Sequence, residues 1–199
     1  VPCDGLPVVQ VGARGGSRVS LALAELEKRI AVLRERGGDR ELEPLLAVAV
    51  RLARKEYGEK HPALATLLND LGGLYRTLGR YTESEDCFLE ARQILADTLG
   101  PDDPGYATCV NNLAGLYRLT GEHARSEQLF LEASGVYARS LGEQHFLFAS
   151  NLNNLALLYL DMRRYDEAIA LQEQALESVR RASGEQSPSY ATSLGNLAA

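Results

Sequence analysis

The sequence predicts an all-α fold built from repeated pairs of helices. Its strongest sign is a glycine that returns every 42 residues, at Gly58, Gly100, Gly142 and Gly184. Other residue types keep the same spacing: Leu71, Leu113, Leu155 and Leu197; Tyr75, Tyr117 and Tyr159; and Ala91, Ala133 and Ala175. A period of roughly 20 to 50 residues is typical of arrays whose units bury their apolar faces only against neighbouring units. We therefore expect a solenoid with one continuous core.

The chain starts with a stretch that lacks helical periodicity. Residues 1–16 hold two prolines and four glycines around a few valines, which predicts a linker or a short extended segment. From Ser17 onwards apolar residues recur at spacings of three and four, which indicates an amphipathic helix. Gly37 and Gly38 end that helix, and a second apolar pattern follows to residue 57. Residues 17–57 are therefore predicted to form a degenerate first repeat.

Three complete repeats follow, at residues 58–99, 100–141 and 142–183, and residues 184–199 supply the first helix of a truncated one. Prolines mark the start of the first helix in most copies, where the missing N–H costs nothing: Pro62, Pro104 and Pro188, with Phe146 in the remaining copy. Gly79 and Gly121 suit a left-handed helix end, whereas Arg163 closes the third copy less comfortably. The second helices are predicted at 81–98, 123–140 and 165–182. The unfinished last repeat indicates a piece of a longer protein.

Composition argues against several functional classes. The net charge is −6, with 21 basic and 27 acidic residues, and no long basic run is present to neutralise nucleic-acid phosphates, although local basic spots are compatible with the sequence. No apolar run reaches the roughly 18 residues of a membrane span. Three cysteines without a partner histidine predict no metal site and no disulfide framework, which favours a reducing, cytoplasmic setting. No catalytic motif, metal ligand set or phosphate-binding loop occurs, so we expect a non-enzymatic protein without a cofactor.

The residues of the repeat resemble those of the tetratricopeptide repeat (TPR) family. Its hallmark Leu-Gly, Tyr, Gly, Ala, Phe and Ala positions are matched in one copy by Leu113-Ala114, Tyr117, Gly121, Ser126, Phe130 and Ala133. The 42-residue unit with NNLAxLY is similar to the repeats of kinesin light chain and its bacterial relatives. Gln172 and Arg163 depart from the pattern. The resemblance implies a right-handed α-α superhelical solenoid of TPR helix-turn-helix repeats.

The resemblance also implies that the first helices line a concave groove that recognises a protein or peptide partner. Polar residues recur on the face opposite the Leu/Tyr stripe, where amides can hydrogen-bond an extended peptide backbone. Arginines near the helix ends could attract carboxylates, and one leucine replaces a glycine. The candidate groove residues are Asn69, Asp70, Arg76, Asn111, Asn112, Arg118, Asn153, Asn154, Leu157 and Asn196.

Alternative interpretations remain open at this point. Repeated asparagines also bond neighbouring helices or their own backbone, without touching a ligand. Arg76 and Arg118 suit a solvated helix C-terminus, and the tyrosines fit the core. A second functional hypothesis is structural: self-association through the unfinished C-terminal repeat, where Leu194 and Leu197 form an apolar stripe. Similar bacterial arrays are fused to CHAT peptidases or nucleotide-binding ATPases, so an intramolecular regulatory arm is the related alternative.

Overall fold

The structure is a computed structural model that describes residues 18–37 and 39–198. The predicted linker at residues 1–16 lies outside this range. The described residues form α-helices joined by short turns, without a β-strand among them. The all-α prediction is therefore confirmed. The chain divides into two compact units, of which the first ends at Leu99 and the second begins at Gly100.

The N-terminal unit contains two consecutive helical hairpins. Its helices are α1 (Arg18–Arg36), α2 (Asp39–Tyr57), α3 (Pro62–Thr77) and α4 (Tyr81–Thr98). Each of them packs against the helix that precedes or follows it. The helix pair at α1 and α2 occupies the segment in which the sequence predicts a degenerate first repeat, and Leu23 and Leu46 are fully buried in it.

The C-terminal unit continues the same alternation of first and second helices. Its helices are α5 (Pro104–Leu119), α6 (His123–Ser140), α7 (Phe146–Asp161), α8 (Tyr165–Ser183) and α9 (Pro188–Ala198). Neighbouring helices pack in sequence, and the first helices α5 and α7 also touch each other directly. The predicted starts of the second helices agree with the structure, and α8 ends one residue later than expected.

The helix ends follow from local chemistry. His61, Asp103 and His145 precede α3, α5 and α7, and each side chain accepts a hydrogen bond from a backbone N–H in the first turn, which is the role of an N-cap. After the first helices the chain turns through a left-handed residue, at Gly79, Gly121 and Arg163. Among these turn residues Arg163, with φ of 60°, carries a side chain, and therefore a strain that the glycines avoid.

Large side chains of one helix meet small residues of its partner in the core of each repeat. Phe88 on α4 and Phe130 on α6 are almost fully buried. Gly72 on α3 lies so close to Phe88 that an added Cβ would come within 2.9 Å of the ring. A second link is polar, because the buried hydroxyls of Ser84 and Ser126 donate to first-helix carbonyl groups at 2.7 and 2.8 Å. These contacts hold the two helices of a hairpin at close range.

Arginine side chains connect successive repeats within each unit. Arg164, just before α8, lies over the ring of Tyr159 on α7 at 3.9 Å and pairs with Glu127 on α6 at 2.8 Å. In the N-terminal unit Arg80 lies over Tyr75 and pairs with Glu43 on α2. Each arginine also pairs with a glutamate in the first turn of the helix that follows it, Glu83 or Glu167, so one cation contacts three helices.

Candidate functional site

The sequence-predicted site residues lie on the first helix of each repeat. Helix α3 carries Asn69, Asp70 and Arg76; α5 carries Asn111, Asn112 and Arg118; α7 carries Asn153, Asn154 and Leu157; and Asn196 lies on α9. The side chain of Asn196 is outside the described part of the structure. The core stripe occupies the opposite side of these helices, because Leu113, Tyr117 and Leu155 are buried.

In the N-terminal unit the candidate residues are partly or almost fully buried, and one of them forms an ion pair with a neighbouring helix. Asn69 is only 8% exposed. The carboxylate of Asp70 pairs with Arg34 on α1 at 2.6 Å. Burial raises the pKa of the Asp70 carboxyl more strongly than the Arg34 guanidinium lowers it. Arg76 lies half-buried in the last turn of α3. Helix α3 therefore presents a carboxylate, Asp70, that is already paired with Arg34, and the amide of Asn69 is almost completely buried.

In the C-terminal unit three asparagines form a cluster that joins α5 to α7. The Oδ1 atom of Asn111 accepts from Nδ2 of Asn151 at 3.1 Å and from Nδ2 of Asn154 at 3.2 Å. Asn111 and Asn154 are half-buried, whereas Asn151 is 1% exposed. We call Asn111, Asn151 and Asn154 the amide cluster. Its hydrogen bonds show that these asparagines do contact a neighbouring helix, one of the two alternatives left open by the sequence.

Asn151 is a residue that reasoning from the repeat pattern missed. Its register position is occupied by Leu67 and Cys109 in the two preceding repeats, and both of these side chains are buried. The signal that could have found it is this replacement of an apolar residue by an amide at a core position. Burying an amide is costly unless its hydrogen bonds are made, and Oδ1 of Asn151 is buried without a hydrogen-bond partner.

The C-terminal half of this face combines an ion pair with exposed apolar side chains. Arg118 at the end of α5 pairs with Asp161 at the end of α7, with 2.7 Å between Nη1 and Oδ2. Leu157 and Leu160 on α7 are 42% and 37% exposed. Arg118 therefore already holds a carboxylate of the protein. A ligand carboxylate at this place would have to share the cation or displace Asp161.

We call the surface of α5 and α7 that carries these groups the amide face. It consists of Asn111, Asn112 and Arg118 on α5 and of Asn153, Asn154 and Leu157 on α7. Its polar groups can donate to and accept from a ligand, and Leu157 can contact an apolar side chain. Such a mixture of a few placed polar groups beside apolar surface suits recognition of a peptide segment.

The described residues offer little for metal binding or for cysteine chemistry at Cys87. No set of three or more His, Cys, Asp or Glu side chains there is arranged to hold a metal ion. Burial, together with the nearby carboxylates of Glu90, Asp86 and Glu83, raises the pKa of Cys87 to about 11. A thiol with a raised pKa stays protonated at neutral pH and is a poor nucleophile.

None of the described helices is long and apolar enough to cross a membrane.

The sequence model of the tetratricopeptide repeat family matches residues 65–139 and 147–199, which is more than half of the chain. No curated protein matches the sequence.

Several solved structures share the fold. BtubC (BKLC) from P. vanneervenii is 27% identical, with a TM-score of 0.76 over 90% of this chain and 72% of that one. A structure of nearly identical TPR-like repeats, assigned to a kinesin light chain of Podosopora anserina, is 22% identical, with a TM-score of 0.74 over 89% and 84% of the two chains. A repeat protein from Parabacteroides merdae is 21% identical, with a TM-score of 0.55 over 89% and 59%. The predicted solenoid class with kinesin-light-chain-like repeats is confirmed.

Proposed function

Because this chain belongs to the tetratricopeptide repeat family, whose repeats generally mediate contacts between proteins, we propose that it is a non-enzymatic recognition module. Its ligand is an extended peptide segment of a partner protein, which lies along the amide face. The observation that carries this proposal is the half-buried amide pair at Asn111 and Asn154, on helices that touch each other. Neither amide uses all of its hydrogen-bonding capacity within the protein.

The chemistry of the face favours a peptide main chain over other ligands. Asparagine offers donors and an acceptor in one group, so it can bond to peptide units whatever their side chains. The surface is not strongly basic, since Arg118 is paired with Asp161, and phosphate-rich ligands lack a set of free cations there. Side-chain preference would come from Leu157 and Leu160, which offer apolar contact. We expect micromolar affinity, about −8 kcal/mol.

The proposal includes a non-catalytic role in the cytoplasm. Cys87 and Cys109 are free thiols, which fits a reducing compartment. The module works without a cofactor, because binding alone is its contribution.

The test is selection from a random-sequence peptide library on the purified chain, followed by affinity measurement by fluorescence anisotropy. The test variant replaces Asn111, Asn112, Asn153 and Asn154 with alanine. The control variant, Gln128→Ala/Gln174→Ala, removes two exposed amides from second helices α6 and α8. We expect the selected peptides to bind the wild type and the control equally, and to lose at least about tenfold in affinity for the test variant.

Circular dichroism of each variant ensures that the comparison is made between folded proteins. Equal binding by the test variant would place the peptide elsewhere on the chain. Failure to select any peptide would reject the proposed function.

A second candidate function is self-association, which one observation favours. Apolar side chains are exposed on the last two helices: Tyr165 and Ile169 on α8 are 56% and 46% exposed, and Leu194 on α9 is 48% exposed. Such a surface suits a protein contact. Light scattering after size-exclusion chromatography would show a mass that rises with concentration, and Leu194→Glu would abolish the rise. A constant monomer mass would reject this candidate.

A further inference from the structure

We propose that Asn151 is a positioning residue that sets the hydrogen-bonding polarity of the amide face. By donating to Oδ1 of Asn111, it makes Asn111 present its N–H groups, and Asn154 its carbonyl oxygen, to a bound peptide main chain. This inference rests on the proposed function and deepens it, because it states which backbone group of the ligand lies over which helix.

The hydrogen bonds within the amide cluster leave three groups unused: the NH₂ group of Asn111, the Oδ1 atom of Asn154 and the second N–H of Asn154. Oδ1 of Asn111 is occupied by Asn151 and by Asn154. The Nδ2 atom of Asn111 and the Oδ1 atom of Asn154 make no bond to other described residues. Of the buried side-chain nitrogen and oxygen atoms described, only Oδ1 of Asn151 lacks a partner. The unused Nδ2 atom of Asn111 and Oδ1 atom of Asn154 are therefore not fully buried, and both residues are half-buried.

The opposite character of these two groups does not depend on how each amide is oriented. A side-chain amide can be turned over, which exchanges its oxygen and its nitrogen. If Asn111 turned over, its nitrogen would face Asn151 and Asn154, and both of those would have to turn as well to present oxygens. The outward groups would then be an oxygen on Asn111 and a nitrogen on Asn154. In either case Asn111 presents a single kind of group to the ligand, and Asn154 supplies the opposite kind.

Asn151 decides between the two arrangements, because its amide is closed to solvent. In the observed arrangement its Nδ2 donates to Asn111 and its Oδ1 is left without a partner. In the reversed arrangement both of its N–H groups would be left without an acceptor, whereas the observed arrangement leaves one of them so. Buried N–H groups without partners are rarer than under-satisfied carbonyl oxygens. The burial of Asn151 therefore favours a donor on α5 and an acceptor on α7.

In the observed arrangement a peptide N–H finds its acceptor on Asn154 and not on Asn111, because Asn111 presents donors alone. A peptide carbonyl oxygen accepts from Nδ2 of Asn111, and a peptide N–H donates to Oδ1 of Asn154. Reversing the polarity of the cluster would oppose donor to donor and acceptor to acceptor, which leaves both pairs unmade. The ligand class is thus an extended main chain whose carbonyl lies over α5 and whose N–H lies over α7.

The first experiment needs no ligand. In isotope-labelled full-length chain, side-chain amide protons are assigned by nuclear magnetic resonance, and their exchange with solvent is measured. We expect slow exchange for the Asn151 side-chain protons, of which one is donated to Asn111, and fast exchange for those of Asn111. Protected Asn111 protons would show the reversed polarity and overturn the inference.

The second experiment uses peptides selected from a random-sequence library on the wild-type chain. In each peptide, backbone N–H groups are replaced one at a time by ester oxygens, which removes a donor and keeps the shape. One ester should weaken binding to the wild type by about tenfold. In Asn151→Leu, which introduces the residue found at this register in an earlier repeat, the same ester should make little difference, because Asn111 and Asn154 are no longer held in one polarity.

If Asn151→Leu does not fold, the same measurement is made on Asn151→Cys, which introduces the residue found at this register as Cys109. An unchanged ester profile in the folded variant would overturn the positioning role, since loss of mere packing would weaken all peptides alike. Absence of any selected peptide would instead reject the proposed function, while the exchange measurement would still decide the polarity of the cluster.

Discussion

The guanidinium of Arg164 lies over the ring of Tyr159, with 3.9 Å between its central carbon and the ring centroid. The Tyr159 hydroxyl donates to Oε1 of Glu127 at 2.8 Å, and the same oxygen accepts from Arg164. Three successive helices are thus joined by one aromatic ring, one cation and one carboxylate. The arrangement stabilises the junction between repeats and makes it sensitive to alkaline pH.

We predict a loss of stability at high pH that depends on Tyr159. Burial, and then the hydrogen bond to Glu127, raise the pKa of Tyr159 to about 12 from the ordinary value of 10.0. The unfolded chain therefore loses this proton at lower pH than the folded chain. The contribution is fully present below the unfolded pKa and is lost as the pH rises towards the folded pKa.

The measurement is the free energy of unfolding in urea, between about pH 8 and pH 12. Tyr159→Phe should lower stability at neutral pH and should flatten the alkaline decline. Tyr165→Phe, which removes an exposed hydroxyl, is the control. Identical alkaline slopes in the wild type and Tyr159→Phe would contradict the prediction.

We predict that Asp70→Asn stabilises the N-terminal unit at neutral pH. Burial raises the pKa of Asp70 above the ordinary value of 3.8 despite its pair with Arg34. A carboxyl with a raised folded pKa favours the fold most when protonated, and this contribution is lost as the pH rises through its folded pKa. Asparagine, which occupies this register as Asn112 and Asn154, carries no charge to desolvate.

Urea unfolding of the wild type and of Asp70→Asn, at neutral and at acidic pH, tests this prediction. The gain in unfolding free energy of Asp70→Asn over the wild type should shrink as the pH falls towards the ordinary pKa of aspartate. Arg34→Gln should destabilise the chain at neutral pH. A less stable Asp70→Asn at neutral pH would mean that the Arg34 pair outweighs the cost of burial.

Two adjacent glycines of α3 should respond oppositely to alanine. At Gly73 an added Cβ meets no atom within 4 Å, so Gly73→Ala should stabilise by up to about 1 kcal/mol through helix propensity. At Gly72 the Cβ comes within 2.9 Å of Phe88 and 3.2 Å of Cys87. Overpacking of about 1–3 kcal/mol should cancel or exceed the gain. Thermal and urea unfolding measure the stabilities of the two variants. A Gly72→Ala variant more stable than Gly73→Ala would contradict the prediction.

The N-cap of α7 should be measurable by substitution at His145. Its Nδ1 accepts from the backbone N–H of Leu147 at 3.2 Å, and Asp103 accepts in the same way from Gly105 at 2.7 Å before α5. His145→Ala should cost about 1 kcal/mol. His145→Asp should restore that loss, because a carboxylate both caps the helix and complements its dipole. Equal stability of both variants would show that the cap contributes nothing.

The period of the sequence alone predicted the helix positions, the turns and the family. This worked because each feature depends on residues close in sequence: Pro62 and Pro104 start helices, Gly79 and Gly121 end them, and Arg163 stands at the equivalent turn with φ of 60°. The apolar stripes also follow from helical spacing, and Leu113, Tyr117 and Phe130 are buried as the stripes predict.

Side-chain partners between repeats were decided by the tertiary structure. The chemistry of the amide face was visible in the sequence, but Asn151 was overlooked, and the pairing of Arg118 with Asp161 was not foreseen. These contacts join residues about one period apart, 40 positions between Asn111 and Asn151 and 43 between Arg118 and Asp161. Their formation depends on how neighbouring helices pack and rotate against each other. A repeat period specifies which helices are equivalent, whereas only packed helices specify which side chains meet.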